Sequence, residues 1–470
     1  MKKLVFLTCF LFIKTSWANE FTTCNDAAEN AELTSSQCAV VSVPLTYTAS
    51  DKTQIDLFVR KFPSLKERHG SVWLIAGGPG ESGASFYSII DTYRDVFVNF
   101  DIFVPDHRGT GFSSSICPGE DVESVAGKSL VGEEWGACFA HMYGNVEHVQ
   151  GFTITNAAKD LRQLVNTMSG EGETFIYGVS YGTQLALRTA QLDGLNIDGL
   201  ILDSLVPMQN DSRYGLSKRS HVVDSVGKEL LDKCNHSGKC GGKTSESIKE
   251  SLSKLIAKSN NLKDFSENLP DASLSNTLGV LLDIPSIRNE IPKIIRSLSN
   301  GNTSALEKAI NDVTAYYSEL NLGYANFGSS IPLVQIITAS ENNLRPNLTK
   351  SDVKKEEAGL LFTSPLTGLM AENSMPTYEK DDYYAKLPTN LPKTLILQGT
   401  LDPKTHFNAA KTHASELAKL GQVSFVDITD GVHFIALTAP DCFKQHVGLF
   451  MSNKEQRQAV CQDEATLVRF

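Results

Sequence analysis

Gly178-Val179-Ser180-Tyr181-Gly182 follows the apolar run Thr174-Phe175-Ile176-Tyr177 and precedes the helix-forming stretch Thr183 to Ala190. This is a G-x-S-x-G nucleophile elbow in a strand–turn–helix setting. A serine on so sharp a turn is held in a strained backbone conformation. Only small neighbours at the two glycine positions let strand and helix approach closely enough to form it. The hydroxyl then projects at the head of a sheet.

Outward from the elbow, apolar runs alternate with helical patterns. Strands are predicted at Val41–Tyr47, Ile55–Lys61, Val72–Ala76, Ile102–Pro105, Thr174–Tyr177, Gly199–Leu202, Thr394–Leu397 and Val423–Ile428. The first two, joined by Ser50-Asp51-Lys52, read as an antiparallel hairpin. The later strands are separated by helices such as Thr155–Met168, Ala409–Leu420 and Phe443–Met451, which implies a mostly parallel central sheet with crossover helices on its faces. Between Leu205 and Tyr384 the alternation stops, and helices are predicted at Glu246–Lys258, Leu274–Leu282, Glu290–Leu298 and Ala305–Leu320. The chain therefore divides into a leader (1–18), a first core part (19–204), an inserted helical cap (205–384) and a second core part (385–470).

The leader has the form of a secretory signal: Lys2 and Lys3, an apolar stretch from Leu4 to Ile13, and the small-x-small site Ser16-Trp17-Ala18. Its removal takes away three lysines and no acid, moving the formal charge from −11 to about −14. So acidic a chain offers no electrostatic footprint for nucleic acid, and no stable membrane association is expected. Of nine cysteines, Cys9 lies in the leader. The other eight fall as near neighbours: Cys24 and Cys38, Cys117 and Cys138, Cys234 and Cys240, Cys442 and Cys461. An even count in an exported chain reads as disulfides; short loops favour the sequential pairing among the 105 possible. The expected location is periplasmic or extracellular.

A serine hydroxyl needs a base, and the base needs an acid to fix its tautomer. Asp402 follows the strand at Thr394–Leu397 and His433 follows the strand at Val423–Ile428, so Ser180, Asp402 and His433 stand in the chain order that this elbow demands. His406, His413, Asp427 and Asp430 are rivals ranked below them. The tetrahedral intermediate needs backbone donors, and Trp73-Leu74-Ile75-Ala76-Gly77-Gly78-Pro79-Gly80 supplies a glycine turn. The amides of Gly78 and Tyr181 are the candidate oxyanion donors. Residues 78–83 also match G-x-G-x-x-G, but they follow the third strand rather than the first, and Ala84 stands where a phosphate loop requires lysine. No cofactor or metal is expected. Asp106 and Arg108 are read as organisers of their loop, and Glu81 as a residue able to touch substrate.

Ala76-Gly77-Gly78-Pro79-Gly80, Asp106-His107-Arg108-Gly109-Thr110-Gly111-Phe112-Ser113, Gly178-Val179-Ser180-Tyr181-Gly182-Thr183, Asp402 and His433 together resemble the α/β-hydrolase serine aminopeptidases, especially the secreted prolyl and tripeptidyl group. The resemblance implies an α/β-hydrolase fold with a helical cap, and peptide substrates cut near a free N-terminus without metal or cofactor. The pairs Cys117/Cys138 and Cys442/Cys461 also look like that group's. Leu369-Met370-Ala371-Glu372-Asn373 resembles the stretch in which relatives carry a carboxylate for the substrate amine, which makes Glu372 the first candidate anchor. Two departures stand out: Ala76 replaces a histidine common in cytosolic relatives, and Asp430-Gly431-Val432-His433 departs from the usual D-x-x-G-H. A carboxylesterase of the same fold, or a non-catalytic binding protein built on it, are the alternatives.

Overall fold

A computed structural model describes residues 21–48, 52–124, 127–238, 240, 247–259, 273–321, 323–454 and 458–470. The leader with Cys9, the hairpin turn at 50–51 and the start of the helix expected from Glu246 lie outside the described residues. Ten strands form one sheet: β1 (Thr22–Thr23), β2 (Gln37–Pro44), β3 (Gln54–Phe62), β4 (Gly70–Ile75), β5 (Phe100–Pro105), β6 (Glu173–Val179), β7 (Gly199–Asp203), β8 (Lys393–Gly399), β9 (Val423–Thr429) and β10 (Gln458–Gln462). Their order is β1-β2-β3-β5-β4-β6-β7-β8-β9-β10. The pairs β1/β2, β2/β3 and β3/β5 are antiparallel; from β5 to β10 every pair is parallel.

All eight strands expected from the sequence form. The two it did not announce, β1 and β10, lie at the two sheet edges. Both are short: β1 is two exposed threonines, and Ala459-Val460-Cys461 in β10 is too brief an apolar run to mark a buried strand.

The central strands are covered on both faces, as parallel strands must be when crossover helices flank them. Along β4, Trp73 and Ile75 join a core with Ile176, Leu200, Leu202 and the helices Ile154–Met168 and Tyr181–Ala190. Val72 and Leu74 point the other way and pack with Tyr177, Leu397, Val426 and the helix Pro440–Met451. The period of two in the pleat therefore sorts one strand's side chains into two cores.

Between β7 and β8 lie the helices Arg219–His236, Ile248–Ser259, Leu274–Leu281, Ile291–Ser299 and Ser304–Asn321. They share a core of their own that includes Leu230, Leu252, Leu278, Ile294 and Ile295, and that Leu401 joins from the loop after β8. The later part of the insertion behaves differently. Leu333, Ile336, Ile337 and Tyr378 are packed into the first sheet core. By packing, the chain rejoins the sheet well before residue 384, although no strand signal marks the return.

Four disulfides join Cys24–Cys38, Cys117–Cys138, Cys234–Cys240 and Cys442–Cys461. Among the described residues no helix is long and apolar enough to cross a membrane.

Candidate active site

The elbow is built by steric necessity. A Cβ on Gly178 would stand 2.4 Å from Gly182 O, and one on Gly182 would stand 2.3 Å from Ile75 O. Both contacts are with backbone that cannot give way, so alanine is excluded at either position. Ser180, squeezed between them, takes φ 56° and ψ −124°, a region that non-glycine residues occupy only when the surroundings impose it. Its amide donates to Asp203 O at 3.0 Å and its carbonyl accepts Thr183 Oγ1 at 2.6 Å.

Asp402 and His433 are brought together by the loops after β8 and β9. The His433 Nδ1 lies 2.9 Å from Asp402 Oδ2 and 3.2 Å from Oδ1. With Nδ1–H donating to the carboxylate, Nε2 is left free to accept a proton. Asp402 is fully buried. Its Oδ1 accepts the amides of Lys404 and Thr405 at 2.7 and 2.8 Å, and its Oδ2 accepts Thr405 Oγ1 at 2.7 Å. Burial pushes the carboxyl pKa up, but the His433 charge and these donors outweigh it and hold the pKa below the usual carboxylate value. Asp402 therefore stays ionised opposite the imidazole.

Ser180, His433, Gly78, Tyr181 and Glu81 line one cavity of about 680 Å³. Tyr181 supplies the first N–H of its helix and Gly78 sits in the glycine turn at φ 22°. Among the described residues neither amide donates to a protein acceptor. The insertion between β7 and β8 lines the cavity with Arg219, Asp283, Tyr316 and Tyr317, and Lys404 joins them from the acid loop. Lys404 pairs with Asp283 at 3.1 Å, which ties the cap to the loop carrying Asp402.

Glu372 is not brought to this cavity. Its exposed carboxylate accepts the Lys350 amide at 3.2 Å, and its own amide donates to Leu348 O. At φ 55° it follows the helix Pro365–Leu369, and its carboxylate meets the first N–H of the preceding helix, Lys350–Glu357. The anchor expected from the resemblance thus lies away from the cavity, whose lining carboxylates are Glu81 and Asp283. The rival residues are engaged elsewhere. His413 Nδ1 contacts Val206 O at 2.8 Å, His406 stacks on Tyr214, Asp430 pairs with Lys233, and Asp427 lies 4.0 Å from Lys411.

Asp106 and Arg108 brace loops. Asp106 accepts the amides of Gly83 and Phe112 and the side chain of Asn326. Arg108 binds both oxygens of buried Asp160 and the carbonyls of Leu45 and Gly151. Sequence reasoning overlooked Asp203, which ends β7 beside the elbow. Its Oδ1 accepts Ser204 Oγ and the Ile435 amide, and its Oδ2 accepts Tyr177 OH and the Ala436 amide. The one available signal was an acid ending an otherwise apolar strand.

A family model described as alpha/beta hydrolase fold matches residues 70–222, which include the glycine turn and the elbow. Among curated proteins, a putative hydrolase, YuaR, of Escherichia coli is 27% identical over 43% of this chain and 43% of its own. Carboxylesterase B of Mycobacterium tuberculosis is 35% identical over 18% of this chain and 17% of its own. Serine protease Hip1 of the same organism is 27% identical over 37% and 36%. The chain thus spans less than half the length of these relatives. Among solved structures, a thermophilic esterase from Thermogutta terrifontis aligns with 88% of this chain and 98% of its own at 15% identity and a TM-score of 0.38. The chain has the alpha/beta-hydrolase fold, with a mostly parallel central sheet flanked by helices.

Proposed function

We propose that the chain is an exported serine hydrolase that cleaves peptide bonds near free N-termini through an acyl-enzyme. The observation that carries this reading is the bond between His433 Nδ1 and Asp402 on the same cavity as Ser180. Ser180 Oγ attacks the carbonyl carbon while His433 Nε2 takes its proton. The C–N bond then breaks, and the same proton passes to the departing amine. Water repeats the sequence on the ester and restores the serine. Asp402 holds the imidazole tautomer and stabilises its charged form, and the amides of Gly78 and Tyr181 receive the oxyanion. Four disulfides support export, because reducing compartments disfavour them.

Peptidase activity draws support from the resemblance of the motifs to serine aminopeptidases and from the similarity to a serine protease. The similarity to a carboxylesterase favours the second reading, ester hydrolysis by the same triad. The deciding assay offers the mature protein matched peptides with free and acetylated N-termini, together with a simple ester, and reads products by mass. Cleavage of the free peptide only, lost in Ser180→Ala, supports the aminopeptidase. Ester turnover without peptide cleavage supports the carboxylesterase.

A further inference from the structure

Glu81 stands beside the nucleophile with nothing to hold. Its amide donates to Gly78 O at 2.9 Å and its backbone bridges Ser329, so the residue is fixed between the glycine turn and the segment leading to the helix Ile331–Ile337. The point that a Cβ on Gly77 would occupy is 3.1 Å from Glu81 Oε2 and 3.2 Å from Ser180 Cβ. The corresponding point on Gly78 is 3.0 Å from Glu81 Oε1. Glu81 Oε2 therefore lies within about 6 Å of Ser180 Cβ, and Oε1 lies beside the candidate oxyanion donor Gly78.

Among the described residues this carboxylate accepts no side-chain or backbone hydrogen bond and forms no ion pair; of the two cations that share its cavity, Lys404 is committed to Asp283 and Arg219 donates to Pro403 O. Glu81 is exposed by accessible surface, but that surface lines the cavity, whose walls desolvate the carboxylate. Burial accordingly raises its pKa against the opposing charges of Lys404 and His433. An unpartnered negative charge here opposes the charge that gathers on a substrate carbonyl oxygen during attack. A substrate that brings its own cation removes that conflict and satisfies the carboxylate in one step.

Distance selects which cation. The α-nitrogen of a residue lies about 2.5 Å from its own carbonyl carbon, whereas the terminal nitrogen of an extended tripeptide lies about 9 Å from the third carbonyl carbon. A carboxylate within about 6 Å of the nucleophile's Cβ suits the first. We propose that Glu81 binds the α-ammonium of the residue whose own carbonyl Ser180 attacks, so that single amino acids are released rather than tripeptides. This rests on the serine-hydrolase reading above.

The test compares kcat/KM of the mature protein for a free-amine aminoacyl p-nitroanilide, its N-acetyl counterpart, a tripeptidyl p-nitroanilide and p-nitrophenyl acetate. The wild type is expected to favour the free aminoacyl substrate over both the acetylated and the tripeptidyl one. Glu81→Gln is expected to shrink the free-to-acetylated ratio about 30-fold or more, as loss of one partner of a close charge pair does. An unchanged ratio, or faster tripeptidyl than aminoacyl turnover by the wild type, overturns the proposal. The wild-type comparison stands even if the variant does not fold. Ser180-dependent turnover of p-nitrophenyl acetate without preference for the free amine refutes the role of Glu81 and leaves the hydrolase intact. No turnover of any substrate refutes the hydrolase and this proposal with it.

Discussion

Asp203 Oδ1 accepts the amide of Ile435 at 2.8 Å, two residues beyond the candidate base. With the Ala436 amide on its other oxygen, and the Phe434 amide donating to Ser204 Oγ, the end of β7 grips the three residues after His433. The backbone at Phe434 is left-handed, φ 65°, a conformation that this grip pays to maintain. The same residue touches the nucleophile, because the Ser180 amide donates to the Asp203 carbonyl. One aspartate thus couples the elbow to the histidine loop.

Asp203→Asn tests that coupling. The carboxylate accepts two donors on each oxygen, and an amide must turn its NH2 toward one of those pairs. Leaving buried donors unmet should cost about 2 to 4 kcal/mol of stability, read as a lower denaturant midpoint, and should reduce kcat more than KM. Wild-type stability together with wild-type kcat would show that the grip is dispensable.

For the triad, Ser180→Ala, His433→Ala and Asp402→Asn should each lower kcat by about 10⁴-fold while leaving circular dichroism unchanged, because groups acting as a unit fail together. Near-native turnover in any folded variant removes that residue from the triad.

Gly182→Ala should be poorly folded or inactive. The added methyl would meet Ile75 O at 2.3 Å, and relief requires parting the helix Tyr181–Ala190 from β4. A loss of several kcal/mol follows from forced overpacking at a backbone contact. Thermal unfolding followed by tryptophan fluorescence measures it, and an unshifted Tm would mean that the elbow is looser than described.

Non-reducing peptide mapping should recover Cys442 with Cys461, which ties the edge strand β10 to the helix Pro440–Met451. Replacing both by serine should cost on the order of 3 kcal/mol for a loop of this length. Free thiols at both positions in the native protein would contradict the assignment.

Glu356 in the cap binds Arg345 and Lys218. Burial works against its ionisation, but these two cations bring its pKa down to about 2. A depressed carboxylate stabilises the fold fully above its unfolded value, about 4.3, and loses that contribution as pH falls through about 2. Because the group is partly exposed, the effect is modest, about 1 kcal/mol. The Tm gap between wild type and Glu356→Gln should therefore be present at pH 7 and shrink between pH 4 and pH 2. A gap independent of pH would assign the effect to packing.

The elbow, the glycine turn and the order Ser180, Asp402, His433 were legible in the sequence because each depends on local rules. Glycine is forced where backbones collide, apolar runs mark buried strands, and acid and base follow strand ends. Nothing local announced β1 or β10, two short segments that pair at the open edges of the sheet. Nor did it reveal that residues 333–337 repack against the sheet while the helices before them form a separate core. Which carboxylate lines the cavity was decided by tertiary structure in the same way. Along the chain Glu372 ranks ahead of Glu81, yet folding sets Glu372 at the start of a helix in the insertion and places Glu81 on the cavity that holds Ser180. Sequence determines which chemistry a chain carries, through residue types and short-range geometry. Which carboxylate meets that chemistry depends on contacts between segments hundreds of residues apart, and those are fixed only when the cores pack.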